Sequence, residues 1–96
     1  MTNCPTCRAP YKSGAKCYRC GTRLEDILAV EREAADYRRE AERALARQDV
    51  VVALGYSDRA LYLHRSKEAL RTAALVALAR RRFEDAYQLW RESQDL

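Results

Sequence analysis

The sequence predicts a mostly α-helical protein: a bundle of about four antiparallel helices, preceded by a small cysteine-rich β-hairpin. Three observations support this class. All four cysteines lie within residues 4–20, apolar residues recur at helical spacing over most of the remaining chain, and part of the sequence repeats after 33 residues. We expect a small unit at residues 1–22 and a helical unit at 23–96, with helices at about 23–47, 50–64, 67–80 and 83–94.

Composition favours a folded protein over a disordered one, because 48% of the 96 residues are hydrophobic and 33% are charged. No apolar run approaches eighteen residues, so we expect no membrane span. The N-terminus lacks the pattern of an export signal, which predicts a cytoplasmic protein. The net charge of +4 is uneven, since residues 1–23 contain five basic residues and no acid.

The cysteines form two Cys-x-x-Cys pairs, Cys4 with Cys7 and Cys17 with Cys20, separated by nine residues. Each pair aims two sulfurs at one point, and two pairs brought together by a hairpin complete a tetrahedron of thiolates. Gly21 follows the last cysteine, where a left-handed backbone costs glycine little. A turn is expected at Ser13-Gly14 between the pairs.

The motifs CPTC and CYRCG resemble the two knuckles of a zinc ribbon. The resemblance implies one structural zinc ion held by Cys4, Cys7, Cys17 and Cys20, with no open position for a catalytic water. Two disulfides are an alternative, although no export signal accompanies them. A redox-active pair is another, although the βαβ unit of thioredoxins is absent. Iron is a third, as in rubredoxins, whose connecting segment is much longer.

Local motifs mark the expected helix ends. Thr22 and Glu25 form the pattern of a capping box, which predicts that the first helix begins directly after the last cysteine pair. Asp49 and Ser66 are expected to cap the second and third helices. Gly55 lies inside the second helix, where a close approach of another helix would explain it.

No strong helix breaker separates Ala79 from Phe83, but the internal repeat predicts a break there. The segment Ala44-Leu45-Ala46-Arg47 recurs 33 residues later as Ala77-Leu78-Ala79-Arg80. A turn after the first copy therefore predicts a turn near Arg81. Further pairs share this offset: Arg38 with Arg71, Ala41 with Ala74, Val50 with Phe83, and Ala53 with Ala86. Such a period indicates repeated helix–turn–helix units.

The segment ALARQDVVVALGYSDRALYL resembles tetratricopeptide repeats. Ala41 and Ala74 match the small position of the first helix in each repeat, and Ala53 and Ala86 match that of the second. Unrelated helical hairpins are the alternative. The resemblance implies a partner-binding concave face lined by the first helices. Three pairs of equivalent residues would lie there: Arg38 and Arg71, Glu42 and Leu75, and Leu45 and Leu78.

The residue pattern contains no set that indicates catalysis, since His64 is the single histidine and no phosphate-binding glycine loop is present. We therefore expect a non-enzymatic protein–protein interaction adaptor, with a protein or peptide as partner. Two repeats build a small core, so we expect self-association or a partner subunit at Phe83–Trp90. The alternative places Trp90 inside the four-helix core.

Nucleic-acid binding is the second functional class that the sequence suggests. Lys12, Lys16 and Arg19 alternate with Tyr11 and Tyr18 in the cysteine-rich segment. Cations that contact phosphates and rings that stack on bases are a workable mechanism.

Overall fold

The computed structural model describes residues 3–12 and 14–96. The four expected helices are present. They are α1 (Glu25–Ala46), α2 (Val50–Leu63), α3 (Lys67–Ala79) and α4 (Phe83–Gln94). Among the described residues, no helix has the length and apolar character that a membrane crossing would need.

The chain divides into two compact units, one that ends at Arg32 and one that comprises Glu33–Leu96. The division falls inside α1, so the first turns of this helix belong to the cysteine-rich unit. The remainder of α1, with α2, α3 and α4, forms the helical unit.

The β-hairpin expected around the cysteines is not confirmed. Within the described ranges this unit has no strand, only two isolated antiparallel bridges, Asn3 with Pro10 and Lys16 with Arg23. Each bridge joins the two chain segments that flank one cysteine pair. Of the turn expected between the pairs, Ser13 lies outside the described residues, and Gly14 has a left-handed backbone with φ of 89°.

The expected caps of α2 and α3 are confirmed. A side-chain oxygen of Asp49 accepts a hydrogen bond from the Val52 N–H at 3.3 Å. The Ser66 hydroxyl accepts from the Ala69 N–H at 3.0 Å. Both side chains bond to an N–H group that lacks an intrahelical partner.

The capping box expected at Thr22 and Glu25 is wrong. Helix α1 begins at Glu25, and the Leu28 N–H donates to the Leu24 carbonyl at 2.8 Å. Thr22 is engaged elsewhere, because its hydroxyl lies 3.0 Å from the Cys20 sulfur and its carbonyl accepts from the Cys17 N–H. The threonine therefore belongs to the cysteine turn rather than to the helix.

The break expected near Arg81 is confirmed, and it repeats the end of α1 in detail. At the end of α1, Gln48 has φ of 62°, its N–H donates to Leu45 O, and the Asp49 N–H donates to Ala44 O, both at 2.9 Å. These bonds form a Schellman motif. The same two bonds recur 33 residues later, from Arg81 to Leu78 and from Arg82 to Ala77.

Small residues dominate the interior of the helical unit. Helix α3 packs against both α2 and α4, and most of its residues are buried. Val76 of α3 forms a cluster with Ala44 and Ala53, beside the partly buried Leu45 and Leu54. Alanine at these contacts lets the helix backbones approach closely, because its side chain is a single methyl group.

Gly55 does not mark a close helix contact. A Cβ atom added at this position would meet no atom within 4 Å, and the residue is exposed. The conjecture of a crowded contact is therefore wrong, and no packing reason for glycine remains at this position.

Polar and aromatic contacts join successive helices of the unit. The Tyr37 ring on α1 stacks on Tyr56 of α2 with 6.0 Å between centroids, and the Arg59 guanidinium lies 5.7 Å from the Tyr37 centroid. Arg65, in the turn before α3, donates two hydrogen bonds of 2.9 Å to the Glu92 carboxylate on α4. This paired contact links the end of α4 to the α2–α3 turn.

Candidate metal centre and apolar groove

The two cysteine pairs are held by equivalent turns. In the first, the Cys4 N–H donates to Ala9 O at 2.8 Å, and the Arg8 N–H donates to Cys4 O at 2.8 Å. The second repeats this pattern thirteen residues later, with bonds from Cys17 to Thr22 O at 2.8 Å and from Gly21 to Cys17 O at 3.0 Å. The site therefore consists of two half-sites with the same backbone.

The residue after each pair has a left-handed backbone, as expected for Gly21, whose φ is 75°. Arg8 occupies the equivalent position with φ of 61°. A side chain in this conformation costs about 1 kcal/mol or more. Aligning CPTCR with CYRCG shows that Arg8 and Gly21 are equivalent. A search for glycine after a cysteine pair would have found only Gly21.

The four sulfurs converge on one point. All lie within 4.8 Å of one another, with 3.6 Å between Cys4 and Cys20 and 3.6 Å between Cys7 and Cys17. A tetrahedral site with metal–sulfur bonds of about 2.3 Å would hold its sulfurs about 3.8 Å apart. The four cysteines are free thiols, since 3.6 Å is far longer than a disulfide bond. The geometry therefore suits a metal ion bound by four thiolates.

Buried apolar side chains surround one side of this cluster. Cys4, Ala9, Cys17 and Leu24 form the core of the cysteine-rich unit, and Leu24 is completely buried. Tyr11, Leu28 and Cys7 pack against that core. Cys20, in contrast, is exposed. Two of the thiols are thus shielded from water, and one is open to it.

Thr22 is the residue of the site that the sequence did not reveal, because its motif indicated a helix cap. Its hydroxyl and its backbone N–H both favour the Cys20 thiolate, so they lower the pKa of Cys20 to about 6. Thr22 therefore favours the thiolate form of Cys20, which is the form that a metal cation would bind. Its counterpart in the first turn is Ala9, which has no hydroxyl.

The pKa values of Cys17 and Cys7 shift in opposite directions because their surroundings differ. Backbone N–H groups, first that of Cys20, lower the pKa of Cys17. The Ala9 N–H favours the Cys7 thiolate, but loss of water and the three neighbouring thiols outweigh it and raise the pKa of Cys7 to about 11. Four thiolates need a cation between them, because like charges at this distance repel.

The basic residues expected to contact nucleic acid, Lys12, Lys16 and Arg19, are all exposed. The Lys12 ammonium lies 4.6 Å from the centroid of the exposed Tyr18 ring. Lys16 takes part in the bridge that closes the second cysteine turn.

The residues expected to contact a partner fall into two groups. Arg38 pairs with Glu42 at 2.7 Å, and the Glu42 carboxylate also accepts from the Thr72 hydroxyl at 3.1 Å. Arg71, Leu75 and Trp90 instead lie together. They line an apolar groove of about 420 Å³ between α3 and α4, the α3–α4 groove, whose lining residues are Arg71, Ala74, Leu75, Leu78, Phe83, Ala86, Tyr87 and Trp90.

The placement of Trp90 bears on one of the two sequence-based expectations for this residue, the one that packs it inside the four-helix core. Trp90 is 51% exposed, so it does not pack inside the four-helix core. Leu75, Leu78, Phe83 and Tyr87 are also exposed along the same groove. Tyr87 lies within the expected contact range Phe83–Trp90, and its spacing from Phe83 and Trp90 places all three on one face of α4.

A second cavity, of about 460 Å³, lies between α2, α3 and α4, and its lining alternates apolar and charged residues. The Arg65 and Glu92 side chains, which pair with each other, are among that lining.

Comparison of the chain with protein-family models, with curated proteins and with solved structures gives no match.

Proposed function

We propose that this chain is a non-enzymatic adaptor that binds another protein through its helical unit and carries one structural zinc ion. One observation carries the adaptor role. Five large apolar side chains, Leu75, Leu78, Phe83, Tyr87 and Trp90, are exposed together around one groove. Exposed apolar side chains grouped around a groove commonly form a protein contact surface.

Zinc is favoured by the chemistry of the four ligands. Zinc prefers four thiolates in a tetrahedron and, once bound, cross-links the two cysteine turns without leaving a position for water. Iron is distinguishable, because iron bound by four thiolates is coloured and zinc is not. Elemental analysis of purified protein should find one zinc per chain, and a coloured protein with one iron would overturn this part of the proposal.

The helical unit is proposed to be a pair of tetratricopeptide-like hairpins. The repeated Schellman motifs support this relation, because they place the same turn at Gln48 and at Arg81. The period of 33 residues is one shorter than the usual 34 of that family.

Affinity co-purification tests the adaptor role. The full chain should retain the same specific proteins as a Val51→Asp variant, since Val51 is exposed but does not line the groove. A Leu75→Asp/Leu78→Asp variant should lose them, because two charges would oppose burial of the groove. Equal recovery of partner proteins with the unchanged chain, the Val51→Asp variant and the Leu75→Asp/Leu78→Asp variant would refute the proposed surface.

Nucleic-acid binding is the second candidate, and the contact between Lys12 and the exposed Tyr18 ring favours it. A cation beside an open aromatic face can contact phosphate and base together. A gel-shift titration distinguishes this role. Binding that weakens steeply with salt, and that is lost when Lys12, Lys16 and Arg19 are replaced by Ala, supports it, and no shift at low salt excludes it.

A further inference from the structure

The 33-residue period relates two helical hairpins, the first formed by α1 and α2 and the second by α3 and α4, and in the first hairpin the positions equivalent to the α3–α4 groove are partly covered. Subtracting the 33-residue period from the lining of the α3–α4 groove gives the equivalent set Arg38, Ala41, Glu42, Leu45, Val50, Ala53, Leu54 and Ser57. Helix α3 covers part of this set. Val76 packs against Ala53, beside Leu45 and Leu54, and the Thr72 hydroxyl donates to Glu42.

Burial at equivalent positions differs between the two hairpins. Ser57 is 2% exposed, whereas its equivalent Trp90 is 51% exposed. Leu45 and Leu54 are partly buried, whereas their equivalents Leu78 and Tyr87 are exposed. The two hairpins therefore differ in whether a helix follows within the described residues, and the second hairpin carries larger apolar side chains at several of the equivalent positions.

We propose that the α3–α4 groove binds a single amphipathic α-helix of a partner protein, seated as α3 is seated on the first hairpin. The face of that helix would carry small and aliphatic residues, as α3 does with Ala73, Val76 and Ala77, and one carboxylate directed at Arg71. This inference rests on the proposed adaptor function and specifies the chemistry of the partner.

The positive charge of Arg71 at the groove is the reason to expect a carboxylate on the partner helix. In the first hairpin, Arg38 is neutralised by Glu42 one turn later. In the second hairpin Leu75 replaces that acid, and within the described part of the chain Arg71 has no ion-pair or hydrogen-bond partner. The remaining lining of the groove is predominantly apolar. An incoming helix that supplies an acid would therefore complete both the packing and the ion pair.

A second copy of this chain fits the groove less well than a separate helix. A symmetric contact between two copies would place one groove against the other, because the same surface is used on both sides. Two concave surfaces leave each other unfilled, whereas a convex helix fills one of them.

Helix α3 itself supplies a probe. A synthetic peptide of residues 66–80 with Thr72→Glu presents the small-residue face and places a carboxylate above the position of Leu75, one turn from Arg71. The same peptide with Thr72→Lys is its matched control. Neither contains tryptophan, so fluorescence reports only on Trp90, the single tryptophan of the chain.

With the metal-loaded full chain, the Glu peptide should cause a saturable blue shift of Trp90 emission below about 1 mM. The Lys peptide should bind at least about threefold more weakly, because attraction becomes repulsion. Arg71→Glu in the full chain should reverse the order of affinity, so that the Lys peptide binds more tightly than the Glu peptide. Leu78→Asp should abolish binding, while Val51→Asp should not, since both side chains are exposed but only Leu78 lines the groove.

Three results would overturn the inference: no saturable shift with the Glu peptide, equal affinity for both peptides, or an order unchanged by Arg71→Glu. Light scattering that shows a dimer, broken by Leu78→Asp, would assign the groove to a second copy. If co-purification of partners persists while the peptides fail, the adaptor function stands and only the helical, acidic character of the partner is refuted.

Discussion

Gln48 and Arg81 lie 33 residues apart and adopt the same left-handed backbone, with φ of 62° and 59°. Each ends a helix with the same pair of hydrogen bonds, and neither is a glycine. Evenly spaced alanines can arise in any helical protein, but two matched turns with unfavourable residues indicate repetition of a structural unit.

Arg81→Gly should therefore stabilise the protein. Glycine adopts φ of about 60° without the steric cost that a side chain incurs, but it loses more conformational freedom on folding. We expect the free energy of unfolding to rise by up to about 1 kcal/mol, measured by urea denaturation. The control is Arg80→Gly, at φ of −86°, which should lower stability. If both variants lose stability equally, left-handed strain at Arg81 is not significant.

Gly55→Ala should also stabilise the helical unit. The added methyl group meets no neighbour within 4 Å, and alanine is favoured over glycine inside a helix by about 1 kcal/mol. Thermal unfolding followed by circular dichroism at 222 nm measures the gain. Gly21→Ala provides the contrast, because its φ of 75° disfavours a side chain, and it should weaken metal binding. A loss of stability in Gly55→Ala would show that the helix is crowded at this position.

Cys4→Ser should remove the metal ion and leave the helical unit folded. In the proposed zinc site, three thiolates and a hydroxyl would bind the ion far more weakly than four thiolates, and the small cysteine-rich unit would lose the cross-link that the ion supplies. The helical unit has its own core around Ala44, Ala53 and Val76, so far-UV circular dichroism should retain most of its helical signal. Elemental analysis and a thiol-reactivity assay complete the test. Loss of the whole helical signal would contradict an independent core.

Thr22→Val should weaken metal binding by about tenfold, because the hydroxyl beside a ligand tunes that ligand. Without the hydroxyl, the pKa of Cys20 should rise from about 6 toward 9.0. The Cys20 thiol would then carry its proton at about pH 7.5, and binding would release about one proton more than in the unchanged chain. Calorimetry in two buffers with different ionisation heats counts these protons. Thr6→Val, at an exposed position of the first turn, is the control.

The sign of the pH dependence follows from the same ligands. Metal-bound cysteines are thiolates, whereas unfolded cysteines have a pKa of about 8.5, so the stability supplied by the metal falls as pH decreases. In the metal-free chain, the stability that the lowered pKa of Cys20 contributes is present at high pH and is lost as pH falls through about 6. Titration with a chelator at several pH values should show release becoming easier toward acid.

Local features of the fold were predictable from the sequence because they depend on few residues. Asp49 and Ser66 cap helices through contacts only three residues away. The cysteine spacing alone places four sulfurs together. The break at Arg81 has no local signal, and it became predictable only because the repeat transfers information from the turn at Gln48.

Other features depend on competition between two structures for the same residue. Thr22 fits a helix cap by pattern, but its hydroxyl lies 3.0 Å from the Cys20 sulfur instead. The position of Trp90 depends on whether another helix covers α4, which the local pattern around Phe83 does not determine. The sequence therefore indicated the residues on each side of the groove, Arg71, Leu75 and Leu78 on α3 and Phe83–Trp90 on α4, but not that they line one groove together.

The uneven shielding of the four sulfurs has a kinetic consequence. Cys4 and Cys17 are buried, while Cys20 faces solvent. A competing chelator or an alkylating reagent would therefore reach Cys20 before Cys4 or Cys17, and release of an ion from the proposed site would begin with the Cys20 bond. In the proposed site, the rate of ion exchange would thus depend most on the exposed ligand, whereas the strength of binding would be shared by all four.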